Sequence, residues 1–423
     1  MLPEDAAILD RIDGEALVAR AVAWCAINSG SRNLAGVEAV GERIAAAMAG
    51  FDGEVERLPL PATSEAAADG RIRELANGAA LRLRVRPDAP VQVALTGHHD
   101  TVYPADSAFQ AVTRRADGTL NGPGIADMKG GLSVMLGALA AFEAHPLAAN
   151  VGWTVLVSPD EETGSLASRG LLAELGARAH LHLTFEPAMD GEGTLAGARK
   201  GSGNFHLLVR GRAAHAGRDF ASGRGAVAAA ARIAAELDAL NGRRDGVTLN
   251  VARIDGGAPL NMVPDAAVVR FNVRMPRAAD ARWLEGEIAS IAAAHSGDGI
   301  ATELHGGVTR PPKPFTGAQQ AVFAAVREAG AALGQAISWK PSGGVCEGNN
   351  LFAAGCPGVD TLGVRGGAIH TPDEHAWPES FGERARLAAL LLTRVARGEI
   401  DARAIRVQAD AERAGVTAEA ALG

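Results

Sequence analysis

Residues 91–103 read VQVALTGHHDTVY, and the fold follows from the order of residue types within them. The first seven form a short apolar run with β-branched members, the pattern of a buried strand. His98, His99 and Asp100 then fall at its carboxyl end. Outward along the chain, WTVLVS at 153–158 and LHLTFE at 181–186 repeat the pattern, and VDTLG at 359–363 gives a fourth strand. Apolar residues recur at helical spacing over 15–28, 36–50, 129–145, 164–176, 318–334 and 380–397. Strands alternating with helices indicate an α/β fold, a mostly parallel sheet sandwiched by helices.

The stretch from about 200 to 310 follows another order. NFHLLVRGR reads as a strand, RGAVAAAARIAAELDAL as a helix, and GVTLNVARI and AVVRFNVRM as two strands; a helix over 280–294 and a short strand near 300–305 follow. This β-α-β-β-α-β succession is the ferredoxin-like order. It predicts an inserted domain at 197–311, with 1–196 and 312–423 forming the α/β domain and GTLAGARKG and TRPPKPF marking the crossings.

Composition bounds the function. A chain of 423 residues allows two or three domains at ~150 residues each. A net charge of −8 without a local basic patch argues against nucleic acid as a partner. Cys25, Cys346 and Cys356 are too few and too scattered for a disulfide framework or a cysteine zinc cluster, and suit a reducing compartment. The acidic start MLPEDAAILDRIDGE lacks a signal-peptide pattern, and no run approaches the ~18 apolar residues of a membrane span. A cytoplasmic location with no membrane association is therefore expected. Eighteen of the 52 glycines fall in 122–131, 201–225, 256–257, 343–348 and 363–367, loops over strand ends or between domains.

Five segments carry the candidate chemistry. On a continued strand His98 and Asp100 share a face, which suits a metal ligand and the carboxylate that orients it, while His99 points away. NGPGIADMKGG at 121–131 lacks both phosphate-loop spacings, and its Asp127 fits a helix N-cap equally well. SPDEETGS at 158–165 holds Glu161 and Glu162, a metal ligand beside a general base or simply a solvated acidic loop. Glu186 closes LHLTFE, and His370 lies in RGGAIHTPDEH at 365–375. Taken together, His98, Glu161, Glu162, Glu186 and His370 gather at carboxyl ends of parallel strands, where open α/β sheets bind ligands. Imidazole with carboxylate and no thiolate favours zinc, with manganese or cobalt as substitutes. The surplus of ligands fits two metals sharing a carboxylate, ~3.5–4 Å apart.

In order and spacing, GHHDTV, GPGIADMKGG, PDEETGS, FEP and HTPDE resemble the two-zinc amidohydrolase family of acetylornithine deacetylase, succinyl-diaminopimelate desuccinylase and carboxypeptidase G. The resemblance covers nearly the whole chain. The unbroken DTVY and PDEETGS, with FEP, are most similar to its glutamate carboxypeptidase branch. It implies a zinc-peptidase-like domain with an inserted lid through which two copies form a homodimer. It implies further that Asp127 bridges two zinc ions, that His98 and Glu186 bind one and Glu162 and His370 the other. Asp100 would orient His98, Glu161 would be the general acid/base, and a cis peptide would follow Asp127. His215 in GRAAHAG would reach the partner's site, and Asn261, Arg274, Arg310 and Lys200 resemble the family's substrate contacts. Met128 replaces a frequent second acid, and PSGGVCEGNN at 341–350 lacks the usual threonine-aspartate, so that Cys346 would line the pocket. The implied activity is removal of a C-terminal acidic residue from an N-acyl amino acid, small peptide or folate-like conjugate bearing a free carboxylate. The alternatives are an N-acyl-amine deacylase and a catalytically silent binding homologue.

Overall fold

A computed structural model describes residues 2–422, with side chains described as far as residue 415. Its larger sheet has six strands in the order Val55–Leu58, Ala80–Val85, Val151–Ser158, Val91–His98, Leu181–Thr184 and Gly358–Val359. Val91–His98 runs parallel to both neighbours, and Leu181–Thr184 parallel to Gly358–Val359. Ala80–Val85 is antiparallel to both of its neighbours. The apolar runs arise because both faces are covered. Val93, Leu95, Val155 and Val157 enter a core with helices Gly14–Cys25, Lys129–Glu143 and Glu379–Arg397. Ala94 and Leu156 face Leu172 and Leu175 of Arg169–Arg178 on the other side.

The sequence reading differs at the sheet's margins. Of residues 359–363 only Val359 joins the ladder, paired together with Gly358 before it, after which Thr361 makes a single antiparallel bridge to Phe185. The helix expected over 164–176 begins at Arg169, because Asp160 turns back to accept from the amides of Ala167 and Ser168. The two antiparallel strands at the sheet's side were missed, since VERL is short and half charged and two arginines interrupt the apolar residues of ALRLRV.

The inserted domain shows the expected order. Its four strands form an antiparallel sheet in the order Thr248–Gly256, Ala266–Met275, Gly201–Arg210 and Ala301–Arg310. Helices Ala226–Asp238 and Ala278–Ala294 cover one face through Ile233, Leu237, Leu284 and Ile288 against Phe205, Leu207, Val269 and Phe271. At the crossings, Arg199 and Lys313 exchange backbone hydrogen bonds of 2.8 and 3.0 Å. A fully buried Asp360 from the α/β domain joins both side chains, at 2.6 Å to Arg199 Nε and 2.5 Å to Lys313 Nζ.

Candidate metal centre and cleft

Strand register brings the site together. His98 is level with Ser158, and Thr96 with Thr184, so Glu186, two residues beyond Thr184, emerges beside His98. The 3₁₀ turn Glu161–Thr163 follows the Val151–Ser158 strand, and Asp127 lies one residue before the cap of the Lys129–Glu143 helix. Met128 holds the cap position without a side-chain cap bond, leaving the Asp127 carboxylate to face the histidines. The Asp127–Met128 peptide is cis, as the resemblance implies. His370 adopts φ 63, a left-handed conformation uncommon for a residue with a Cβ.

Asp127 lies at the centre. Its Oδ1 is 3.1 Å from His98 Nε2, and its Oδ2 is 3.3 Å from His370 Nε2. Glu186 approaches His98 Nε2 at 3.9 Å, and Glu162 approaches His370 Nε2 at 3.3 Å. His98, Asp127 and Glu162 each present a donor atom within 4.8 Å of the others. Asp100, fully buried, takes the amide N–H groups of Glu161 and Glu162 at 3.2 Å each and the Ser31 hydroxyl at 2.7 Å; its Oδ1 lies 3.3 Å from His98 Nδ1. Asp100 therefore holds both, the histidine ring through its backbone carbonyl 3.0 Å from His98 Nδ1 and the acidic turn through its carboxylate. His99 points away, and burial lowers its pKa to about 4.

The donor set fits a metal. Burial, then Asp127, pushes Glu162 up to about 8, and the same two causes push Glu186 up to about 7. Hydrogen bonding to Asp127 and Glu162 raises His370 to about 11. Glu162 Oε1 is buried without any hydrogen-bond partner. Three crowded carboxylates thus call for positive charge, and an orphaned oxygen is free to ligate. His98, Asp127, Glu162, Glu186 and His370 supply imidazole nitrogen and carboxylate oxygen in the combination that suits zinc.

The cluster opens into a cleft of about 480 Å³ beneath the inserted domain. Glu161, Glu162, Glu186 and His370 line its floor, and Ser202, Asn204, Asn272 and Arg274 line its roof. Arg274 Nη1 is buried with no hydrogen-bond partner, and burial, then the neighbouring Arg310, depresses its pKa. Arg310 also borders the cleft but is only 2 % exposed. Its guanidinium donates to Glu161 Oε1 at 2.6 Å, Glu161 O at 3.0 Å, Ser165 Oγ at 3.1 Å and Asn350 Oδ1 at 3.1 Å. Lys200 Nζ donates to the Gly246 carbonyl at 2.6 Å and is not among the residues lining the cleft. His215 and Asn261 are exposed on the inserted domain and do not line the cleft of their own chain. Cys346 lines the cleft as a buried free thiol. Sequence reasoning missed Ser31 and Arg199, whose partners come from distant segments.

Residues 94–394 match Peptidase family M20/M25/M40. Carboxypeptidase G2 of Pseudomonas sp. (strain RS-16) is 31% identical over 186 residues, 44% of this chain and 45% of that one. The chain thus spans less than half the length of that relative. A succinyl-diaminopimelate desuccinylase of Granulibacter bethesdensis is 30% identical over 319 residues, 69% of this chain and 79% of that one. A tripeptidase structure from Staphylococcus aureus superimposes with a TM-score of 0.70 at 21% identity, covering 91% of this chain and 99% of that one, a likeness of fold. With its matched motifs and its histidine–carboxylate cluster at the strand ends, the chain belongs to Peptidase family M20/M25/M40, a family of metallopeptidases and amidohydrolases.

Proposed function

We propose that this chain is a two-zinc hydrolase that cleaves the amide bond holding a C-terminal acidic residue, glutamate above all, in N-acyl amino acids, small peptides or folate-like conjugates. The observation that carries the reading is the cleft itself, where an unpartnered Arg274 Nη1 sits in the roof above the metal cluster in the floor. A guanidinium matches a carboxylate bidentately, so this roof suits a substrate with a free carboxylate.

His98 and Glu186 would hold one metal, Glu162 and His370 the other, with Asp127 between them. When bound, the metals supply Lewis-acid activation of water and carbonyl. Glu161 then accepts the proton of the attacking water and returns it to the amine nitrogen as the C–N bond breaks. Asp100 keeps His98 in one ring orientation and the Glu161–Glu162 turn in place. His215 donates to the carbonyl oxygen from the lid of a second copy; its exposure, away from its own cleft, supports a homodimer. We place the enzyme in the cytoplasm on the strength of its three scattered, unpaired cysteines, which suit a reducing compartment.

Zinc-loaded protein is assayed on N-acyl-glutamates, Glu-terminated dipeptides, N-acetylornithine and N-succinyl-diaminopimelate. Turnover of the glutamate substrates is expected, and its absence at full metal occupancy sinks the glutamate reading. Turnover of the acylated amines alone establishes the second reading, an N-acyl-amine deacylase, which the desuccinylase relative favours.

A further inference from the structure

Two loops from distant parts of the chain meet at the metal cluster, one bringing Asp127 and the other His370. Their stems are paired. Leu120–Asn121 is antiparallel to His375–Ala376, which is antiparallel in turn to Gly366–Gly367. These two-residue ladders align the stems and leave the tips, where the ligands sit, to be fixed by something else.

Glu374 occupies that position. It is 0 % exposed. Its Oε1 accepts the backbone N–H of Ala126 at 2.9 Å and of Asp127 at 3.0 Å, and its Oε2 accepts that of Gly124 at 3.2 Å. The hydroxyl of Tyr103, the single tyrosine of the chain, lies 2.8 Å from Oε2 and 2.8 Å from the Thr371 carbonyl oxygen. One carboxylate therefore joins the Asp127 loop, the His370 loop and the segment that carries His98 and Asp100. An ionised carboxylate accepts at both oxygens and donates nothing. A glutamine of the same shape has to turn an NH2 group toward an amide N–H or toward the tyrosine hydroxyl.

We propose that Glu374 is a positioning residue of the metal centre: by holding the amide of Asp127 it sets that carboxylate between His98 and His370, so metal affinity depends on a side chain that binds no metal. The inference rests on reading the cluster as a metal centre. Wild type, Glu374→Gln and Tyr103→Phe are stripped and titrated with Zn2+ against a competing chelator, and with Co2+ to record the visible spectrum. Far-UV circular dichroism reports whether each is folded. Folded E374Q is expected to bind zinc 10- to 100-fold more weakly, the usual range for a group that orients ligands, and to give altered cobalt bands. Folded E374Q with wild-type affinity and spectrum overturns the proposal. If E374Q does not fold, Y103F decides: weaker binding at unchanged stoichiometry supports the proposal, and wild-type affinity and spectrum overturn it. A wild type that binds no metal would instead remove the metal-centre reading, and this inference with it.

Discussion

Arg274 and Arg310 border one cleft and share a chemistry, yet their surroundings give them different work. Every contact found for Arg310 is internal, to Glu161, Ser165 and Asn350, whereas Arg274 keeps an unpartnered Nη1. A hydrogen bond to a charged group contributes about 1.5–3 kcal/mol, or roughly 10- to 100-fold in rate or affinity. Arg274→Ala is accordingly expected to raise KM for a carboxylate-bearing substrate about 10-fold or more with little change in kcat. Arg310→Ala is expected to lower kcat by about 10-fold or more and leave KM nearly unchanged, because it frees Glu161 from its set position. Steady-state kinetics of both variants on one substrate checks the pair, and a KM effect confined to R310A would reverse the assignment. The sequence could name both arginines but not separate them. His98, Glu186 and His370, and the Glu161–Glu162 pair, were legible because their types and their places after apolar strands carry the chemistry locally, whereas Asp127 and the choice of Glu162 over Glu161 came only through the family resemblance. A guanidinium's partner lies in a turn or helix far off in sequence, and no local pattern records it.

At the scale of elements, legibility followed burial. The central strands read clearly because both faces are covered, while the charged side strands and the Thr63–Ala66 and Ile72–Leu75 hairpin carried no such run. The cluster at the crossings was equally hidden, since Arg199, Lys313, Asp360 and His182 come from four separate segments. His182 is fully buried with its Nε2 3.7 Å from Asp360 Oδ1, and burial, then Lys313, lowers its pKa to about 3. The ordinary value in an unfolded chain is about 6.5. Below that pH the unfolded chain takes up a proton that the folded chain refuses. His182 therefore contributes stability in full above about pH 6.5 and loses it as pH falls toward 3. Between pH 7 and pH 5 the loss is about 2 kcal/mol. Urea unfolding at both pH values is expected to show a smaller difference, by roughly that 2 kcal/mol, in His182→Asn than in wild type. Equal differences in the two proteins would show that His182 does not govern this acid sensitivity.

The whole molecule depends on how the inserted domain is held over the metal cluster. The two crossings are paired at Arg199 and Lys313, and Arg310, three residues before Lys313, adds its contact to Glu161. A further tether comes from another segment. The Thr63–Leu75 hairpin leaves the α/β domain and lies on the open face of the lid sheet, where Ala66 is buried against Leu208 and Val268 and Arg210 Nη2 donates 2.8 Å to the Gly70 carbonyl. This contact is small and apolar, so one charge suffices to undo it: burying a carboxylate without a partner costs far more than the contact returns. Ala66→Glu is expected to detach the hairpin while leaving both cores intact. Trypsin should then cut after Arg71 or Arg73 faster than in wild type, and small-angle scattering should give a larger radius of gyration as the lid swings about the crossings. Wild-type cutting rates and scattering in the folded variant would mean that the crossings and Arg310 alone hold the lid, and that the hairpin merely rests on it.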